Sequence, residues 1–190
     1  MKTFIEIGSC DFDTNIPLIE SGNWSGVMVE ASPLIYRSLT TKIAGIKHHR
    51  NLFTENCAIS DRDGRIDFAV TKNNKDWSRG IGTVIDKNHT GTCLYDLGTN
   101  AKDLYDSIVT VPCLTLDSLI AKYSYLGTLD FLKIDTEGHE MTILQNYSWK
   151  VKPTFIKAEH WHVDDIALKT LLEKQGYTVW TEDQDIYAII

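Results

Sequence analysis

The sequence has no long run of apolar residues and little positive charge. Among its 190 residues, 19 are Lys or Arg and 26 are Asp or Glu, which gives a formal net charge of −7 at pH 7. No apolar stretch approaches the roughly 20 residues that cross a bilayer, and the chain enters a predicted strand directly after Lys2 rather than a signal peptide. The composition provides no basic face to neutralise phosphates. We therefore expect a cytoplasmic protein with no membrane span, no nucleic-acid partner and a small neutral or cationic substrate.

Cysteine is scarce and lacks the spacing of a metal site or a disulfide framework. Cys10, Cys57, Cys93 and Cys113 include no CxxC pair, so we expect reduced thiols and no zinc. Cys10 has no His or Asn in a recognised catalytic pairing, and we interpret it as a small apolar residue. A GxGxxG turn is also absent, which disfavours a nicotinamide dehydrogenase.

Strand and helix patterns alternate along the chain, whose length suits a single domain over 1–190. Apolar runs predict strands at 3–7, 26–30, 54–60, 65–70, 109–114, 130–134, 154–159, 177–181 and 186–190. Helices are predicted at about 14–21, 33–44, 116–123, 139–147 and 163–175, with caps at Ser32 and Thr115 and a stop at Gly176. This alternation is typical of an open α/β sheet.

From 71 to 107 the composition shifts to Asn, Asp, Lys, Gly and Thr, and regular periodicity is lost. Long connections in compact domains are usually lids or binding loops, which predicts a loop insertion over the site. Trp77 would lie in this rim, where an indole can stack on a sugar ring. A plain solvated surface loop remains the alternative.

The first two predicted strands end in carboxylate or glycine residues. They lie in FIEIGSCDFDTN at 4–15 and GVMVEAS at 26–32, and Glu6 and Glu30 are 24 positions apart. An acidic residue about 20 positions after a Gly-bearing turn is where an α/β sheet holds a ribose diol, since two carboxylate oxygens match two adjacent hydroxyls. Gly8 lets the backbone of the turn approach a ligand. The spacing therefore predicts a nucleoside cofactor bound by Glu30.

A second acidic group follows two later strands. Asp135 and Glu159 end the apolar runs FLKID and FIKAE, and adjacent parallel strands would bring both to the same rim. Such carboxylates can hold Mg²⁺, which lowers the pKa of a bound hydroxyl. His139 or His160 can act as a base near neutral pH.

The residues near this group also allow a structural explanation. Glu137 and Glu140 are equally well explained as acids favoured at a helix N-terminus, and His139 as a residue on the helix surface. For His162 the structural explanation is preferred.

Five segments, FIEIGSCDFDTN, GVMVEASP, CAISDRDG, VPCLTLDSLI and DFLKIDTEGHEMTIL, occur in an order that resembles the FkbM family of S-adenosylmethionine-dependent methyltransferases. The resemblance implies a class I methyltransferase fold. This is a Rossmann-like α/β sheet of seven mostly parallel strands, with an antiparallel last strand and helices on both faces. The predicted strands at 177–181 and 186–190, joined by a short turn, independently suit an antiparallel hairpin.

The resemblance also implies methyl transfer to oxygen on a small or glycan-like acceptor. The predicted S-adenosylmethionine contacts are Glu6, Gly8, Ser9, Asp11, Asn15, Glu30, Ala31, Ile59, Ser60 and Asp135. The predicted catalytic residues are Asp135, His139 and His160, and the predicted Mg²⁺ ligands are Asp135 and Glu159. The family often has a second glycine where this chain has Phe12. A nucleoside-binding or partner-binding module without catalysis is the alternative function.

Overall fold

The computed structural model describes residues 1–10, 15–71, 80–85, 105–124 and 127–190. The N-terminal part alternates as the sequence predicted, with β1 (Lys2–Ile7), α1 (Ile16–Glu20), β2 (Trp24–Val29) and α2 (Pro33–Ile43). A short 3₁₀ helix (His49–Asn51) then leads into β3 (Leu52–Glu55), β4 (Ala58–Ser60), β5 (Gly64–Thr71) and β6 (Thr83–Ile85). The C-terminal part contains β7 (Tyr105–Thr115), α3 (Leu116–Lys122), β8 (Phe131–Ile134), α4 (Glu140–Gln145), β9 (Phe155–Glu159), α5 (Asp165–Lys174), β10 (Thr178–Glu182) and β11 (Asp185–Ile189).

Local signals set three helix ends where the sequence predicted them, at Ser32, Thr115 and Gly176. The Ser32 Oγ accepts a hydrogen bond from the Ile35 backbone N at the start of α2, where Pro33 fits the first turn. Thr115 caps α3 in the same way through the Ser118 backbone N. Gly176 follows α5 with a φ of +95°, a left-handed conformation that stops a helix.

The main sheet has seven strands in the order β10-β11-β9-β8-β1-β2-β3. The strands β3, β2, β1, β8 and β9 pair in parallel, whereas β11 is antiparallel to both of its neighbours. The predicted fold class is therefore confirmed. The chain order reverses direction across the sheet at β1, between β2 and β8, and the carboxyl ends of strands at such a switch point form a ligand crevice.

Helices cover both faces of this sheet. On one face, Ile19 of α1 and Leu39 of α2 pack against Phe4 and Met28. On the other face, apolar residues of α3, α4 and α5 pack against the alternate residues of the same strands, such as Ile5. Five of the six residues of β1 are buried, including Thr3 and Glu6, which interrupt its apolar residues.

A second sheet, in the order β4-β7-β5-β6, lies outside the main one and corrects the prediction of one strand at 54–60. The main-sheet strand ends at Glu55, and β4 pairs instead with the end of β7. Between them, the Asn56 Nδ2 donates hydrogen bonds to the backbone oxygens of Glu30 (2.8 Å) and Ala31 (3.2 Å), which breaks the strand. Side-chain alternation is the same in either sheet, so the pattern alone did not reveal the break.

The predicted loop insertion at 71–107 contains β6 and the beginning of β7. Its other residues, including Trp77 and Cys93, lie outside the described residues. Among the helices that the structure describes, none is long and apolar enough to cross a membrane.

Candidate active site

A cleft opens where β1, β2 and β8 end. It contains about 650 Å³ of space, part of which is open to solvent. Its walls are formed by Ile7, Gly8, Cys10, Val29, Glu30, Ala31, Cys57, Ala58, Ile59, Phe68, Gly80, Gly82, Val84, Asp135, Thr136 and Glu137. Five of the predicted cofactor residues, Gly8, Glu30, Ala31, Ile59 and Asp135, are among them.

Glu30 is held rigidly at the end of β2 and is only 7% exposed. Its Oε2 accepts a hydrogen bond from the Cys10 backbone N at 2.8 Å, and its Oε1 accepts one from the Ser32 backbone N at 2.7 Å. These two bonds fix the orientation of the carboxylate at the end of β2. The arrangement fits a ribose diol.

Gly8 lies where three strand ends meet. Its backbone N donates a hydrogen bond to the Val29 O at 3.0 Å, its φ is +77°, and an added Cβ would lie 1.7 Å from the Asp135 O. Only glycine fits this conformation and this close approach. The sequence predicted that a ligand imposes the requirement, but the backbone of the adjacent strand imposes it already.

Three other predicted cofactor residues are buried and do not line the cleft. Glu6 is fully buried, and its Oε1 lies 3.0 Å from the Lys133 Nζ. Ser9 donates its hydroxyl to the Glu6 O at 3.2 Å, and Asn15 is 3% exposed. Asp11, also predicted as a contact, lies outside the described residues.

Lys133 links the buried Glu6 to the cleft, and sequence reasoning missed it. Its Nζ contacts Glu6 and also lies 3.3 Å from the Asp135 Oδ2. Burial raises the pKa of Glu6 against the opposing attraction of Lys133. Burial acts to lower the pKa of Lys133, but Glu6 and Asp135 outweigh it and raise that pKa. A charged Lys133 therefore anchors the Asp135 carboxylate at the cleft.

Glu140 organises the loop between β8 and α4. It is 1% exposed, its Oε1 accepts hydrogen bonds from the backbone N (2.6 Å) and Oγ1 (2.7 Å) of Thr136, and its Oε2 accepts one from the Gly138 backbone N (3.1 Å). Burial raises the pKa of Glu140 to about 7, although the hydrogen bonds from Thr136 oppose the shift. Of the two explanations that the sequence allowed, the geometry supports the structural one for this residue.

Neither predicted histidine base lines the cleft. His139 is fully buried, and its Nε2 lies 2.8 Å from the Ser60 Oγ, so it is not the helix-surface residue that the alternative explanation expected. Its partner Ser60, a predicted cofactor contact, is also absent from the cleft walls. His160 lines a different, shallow pocket together with Trp161 and Asp165. The geometry gives no support to a histidine that reaches an acceptor in the cleft.

The described residues form one group with the geometry of metal ligands, and it differs from the predicted pair. One ligand atom from each of Glu137, Glu159 and His162 lies within 4.8 Å of the others. Asp135, predicted as a ligand, is absent from this group and forms its ion pair with Lys133 instead. The structural role preferred for His162 did not anticipate its place in this group. The signal in the sequence was the segment EHWH, in which His162 follows the strand-end Glu159 by three residues.

The carboxyl groups of this cluster lie in an unusual environment. Burial, reinforced by nearby carboxylates, raises the pKa of Glu137 to about 8 and the pKa of Glu159 to about 9. Glu137 has a φ of +57°, which is rare for a residue with a side chain. Its backbone O accepts a hydrogen bond from the Thr83 Oγ1 at 3.1 Å, which ties the loop to the second sheet.

Sequence reasoning also missed the wall that the second sheet contributes. Phe68 of β5 and Val84 of β6 line the cleft, and an added Cβ on Gly82 would lie 2.7 Å from the Phe68 ring. The alternating pattern at 65–70 shows which residues share a face of the strand, but it does not show whether that face lines a cleft or a core. Burial raises the pKa of Cys57, between β3 and β4, to about 12, so this thiol remains protonated near neutral pH.

The strand order, the antiparallel β11 and a crevice at the switch point define a class I methyltransferase fold. A solved structure with this fold is precorrin-6y C5,15-methyltransferase from Geobacter metallireducens, with a TM-score of 0.50 and 12% identity over 99% of this chain and 78% of that chain. The chain belongs to the FkbM methyltransferase family, whose domain model matches residues 6–179. Methyl transfer from S-adenosylmethionine is the activity of this class.

Two further solved structures are similar at lower scores. The fibrillarin pre-rRNA processing protein of Methanococcus jannaschii has a TM-score of 0.49 and 12% identity over 99% of this chain and 66% of that chain. The N-terminal domain of human METTL16 in complex with SAH has a TM-score of 0.47 and 12% identity over 100% of this chain and 60% of that chain. No curated protein matches the chain.

Proposed function

We propose that this chain transfers a methyl group from S-adenosylmethionine to a hydroxyl of a small, sugar-like acceptor. The observation that carries the proposal is a cleft with one carboxylate on each side of β1, namely Glu30 at the end of β2 and Asp135 after β8. The two carboxylates suit different tasks, because Glu30 is buried and bonded to backbone amides while the Asp135 side chain is 39% exposed.

The donor half of the cleft lies around Glu30. The Cys10 and Ser32 amides hold its carboxylate in place before a ligand binds, which reduces the entropy lost on binding. Ala31 and Ile59 line the cleft beside it and offer apolar surface to an adenine ring, with Phe68 as an aromatic contact from the second sheet.

The acceptor half lies around Asp135. Bound S-adenosylmethionine would supply an electrophilic methyl group, and the acceptor hydroxyl would pass its proton to the Asp135 carboxylate. Asp135 is placed to accept a hydrogen bond from that hydroxyl, because Lys133 holds its Oδ2 from below at 3.3 Å. The Asp135 carboxylate would repel a phosphate here, which supports a neutral, hydroxyl-rich acceptor over a nucleic acid.

The donor half is tested with Glu30→Gln, which keeps the size of the side chain and removes its charge. We expect this variant to bind S-adenosylhomocysteine about 10- to 100-fold more weakly, since a hydrogen bond to a charged group contributes about 1.5–3 kcal/mol. Isothermal titration calorimetry measures the affinity, and Glu20→Gln, on the exposed side of α1, is the matched control. Equal affinities for the two variants would show that Glu30 does not hold the ribose.

The acceptor class is tested by incubating the chain with S-adenosylmethionine and three sets of acceptors: neutral sugars, primary amines and a short RNA. We expect only the sugars to gain the mass of one added CH₂, with the methyl group on oxygen by NMR. Methylation confined to the amines or the RNA would overturn the proposed acceptor. Binding of the donor without transfer to any set would favour a non-catalytic module.

A further inference from the structure

Glu137, Glu159 and His162 lie at or just after the ends of the neighbouring strands β8 and β9. Glu137 lies in the left-handed turn after β8 and also lines the cleft, while Glu159 and His162 lie at and just beyond the end of β9. We propose that these three side chains bind a divalent transition-metal cation, of the Mn²⁺ or Zn²⁺ kind, at the acceptor end of the cleft.

The separations fit a bound cation with little rearrangement. Ligand atoms about 2.1 Å from a common metal lie about 3–4 Å from one another. The three ligand atoms here all lie within 4.8 Å of one another, and the Glu137 Oε2 lies 3.5 Å from the His162 Nε2. A distance of 3.5 Å is too long for a strong direct hydrogen bond between these groups.

A second observation points to a missing positive partner. The Glu159 Oε2 is fully enclosed and accepts no hydrogen bond from the residues that the structure describes. A carboxyl oxygen buried with neither a hydrogen-bond partner nor a cation is costly, whether the group is ionised or protonated. The nearby lysines have other partners, since Lys133 pairs with Glu6 and Lys157 pairs with Asp185 at 2.9 Å. A cation between Glu137 and Glu159 would supply the missing partner of this oxygen.

The donor set selects the kind of metal. Mg²⁺ prefers six oxygen ligands in a regular octahedron, whereas an imidazole nitrogen favours transition metals. Two carboxylates and one imidazole therefore fit Mn²⁺ or Zn²⁺ better than the Mg²⁺ expected from the sequence. The His162 side chain is 8% exposed, so its ring is already held within the fold.

Three protein ligands leave coordination positions open for an oxygen of the acceptor. A metal at this point can lower the pKa of a bound hydroxyl and so prepare it for methylation. This catalytic role rests on the proposed function, whereas cation binding itself does not.

The test uses the untagged full chain, stripped with EDTA and dialysed, because a polyhistidine tag would itself bind these metals. Calorimetric titration with MnCl₂ and with ZnCl₂ should show one site per chain, and MgCl₂ should bind at least 10-fold more weakly than MnCl₂. Glu159→Gln and His162→Gln should each weaken Mn²⁺ binding 10-fold or more. The matched controls are Glu173→Gln and His49→Gln, two residues outside the cluster, and they should bind like the wild type.

Circular dichroism and the melting temperature show whether each variant is folded, and Glu137→Gln provides a third variant if one fails. Mn²⁺ should also raise the melting temperature of the wild type and leave that of His162→Gln unchanged. No site in the wild type, or equal Mn²⁺ affinity in the wild type and both cluster variants, would overturn the proposal. A parallel titration of the stripped protein with S-adenosylhomocysteine separates the metal site from the proposed function. A protein that binds Mn²⁺ but not S-adenosylhomocysteine would contradict only the proposed function.

Discussion

At the scale of single residues, Gly8 decides whether the cleft can form. Its backbone joins β1 to β2 through Val29, and its Cα faces the Asp135 carbonyl of the next segment. A side chain would meet backbone atoms, which cannot rotate away as a flexible side chain does. The first turn of the site therefore depends on one position with no substitute.

Gly8→Ala should lower the free energy of unfolding by about 2–5 kcal/mol, because a left-handed φ and overpacking against backbone each add strain. Gly176→Ala is the matched control, since its φ is +95° but an added Cβ would meet nothing within 4 Å. Urea denaturation of both variants measures the difference, and the control should lose only about 1–2 kcal/mol from the left-handed conformation. If both variants lost the same stability, the contact with Asp135 would carry no cost.

At the scale of elements, the pairing of β1 with β8 places opposite charges inside the fold. Glu6 and Lys133 are register partners, and both are buried. Apolar residues could fill this space, but Lys133 also holds Asp135 at the cleft. The ion pair therefore connects the pairing of two strands to the geometry of the site.

Lys133→Met should destabilise the protein by about 3–5 kcal/mol, because it leaves the Glu6 carboxyl buried without its partner. Adding Glu6→Gln to this variant should recover part of the loss, since the uncompensated charge is then removed. Lys157→Met breaks the more exposed pair with Asp185, whose side chains are 25% and 24% exposed, and serves as the control. Chemical denaturation should give a loss of about 1 kcal/mol for this control; a loss as large as that of Lys133→Met would contradict the argument.

At the scale of the whole molecule, the free energy of unfolding should depend on pH through buried carboxyl groups such as Glu140. Burial raises the pKa of Glu140 to about 7, with the Asp135 charge acting in the same direction. The ordinary pKa of 4.5 applies once the chain unfolds. Between these values the folded state holds a proton that the unfolded state releases, so stability falls as pH rises.

The unfolding free energy of the wild type, relative to Glu140→Gln, should therefore fall as pH rises from about 5 to about 7, by about 3 kcal/mol at most. Above that window the difference should level off, because Glu140 is then ionised in both states. Urea denaturation of both proteins in EDTA-containing buffer, at intervals of pH, measures this difference. A difference that stays constant or grows with pH would show that Glu140 is ionised in the folded protein near pH 5.

Much of the fold and part of the site were predictable, because their signals are local. Apolar runs gave the strands of the main sheet, and Ser32 with Pro33 marked the start of α2. The spacing of Gly8 and Glu30 predicted two residues that line the cleft, and their contact with the donor stays a prediction. The split of 54–60 between two sheets was not predictable, because it depends on contacts between residues that are far apart in the sequence. Asn56 bonds to the backbone oxygens of Glu30 and Ala31, which are 26 and 25 positions away.

The sequence by itself determined the family, the order of the elements and the carboxylates at the strand ends, because each depends on residues close together in the chain. Only the tertiary structure decided which of these side chains meet. It paired Lys133 with Glu6 across 127 positions, buried His139 against Ser60 across 79, and brought His162 to Glu137 and Glu159. The physical reason is that lateral strand pairing and side-chain orientation set these contacts, and residue types alone do not fix either one.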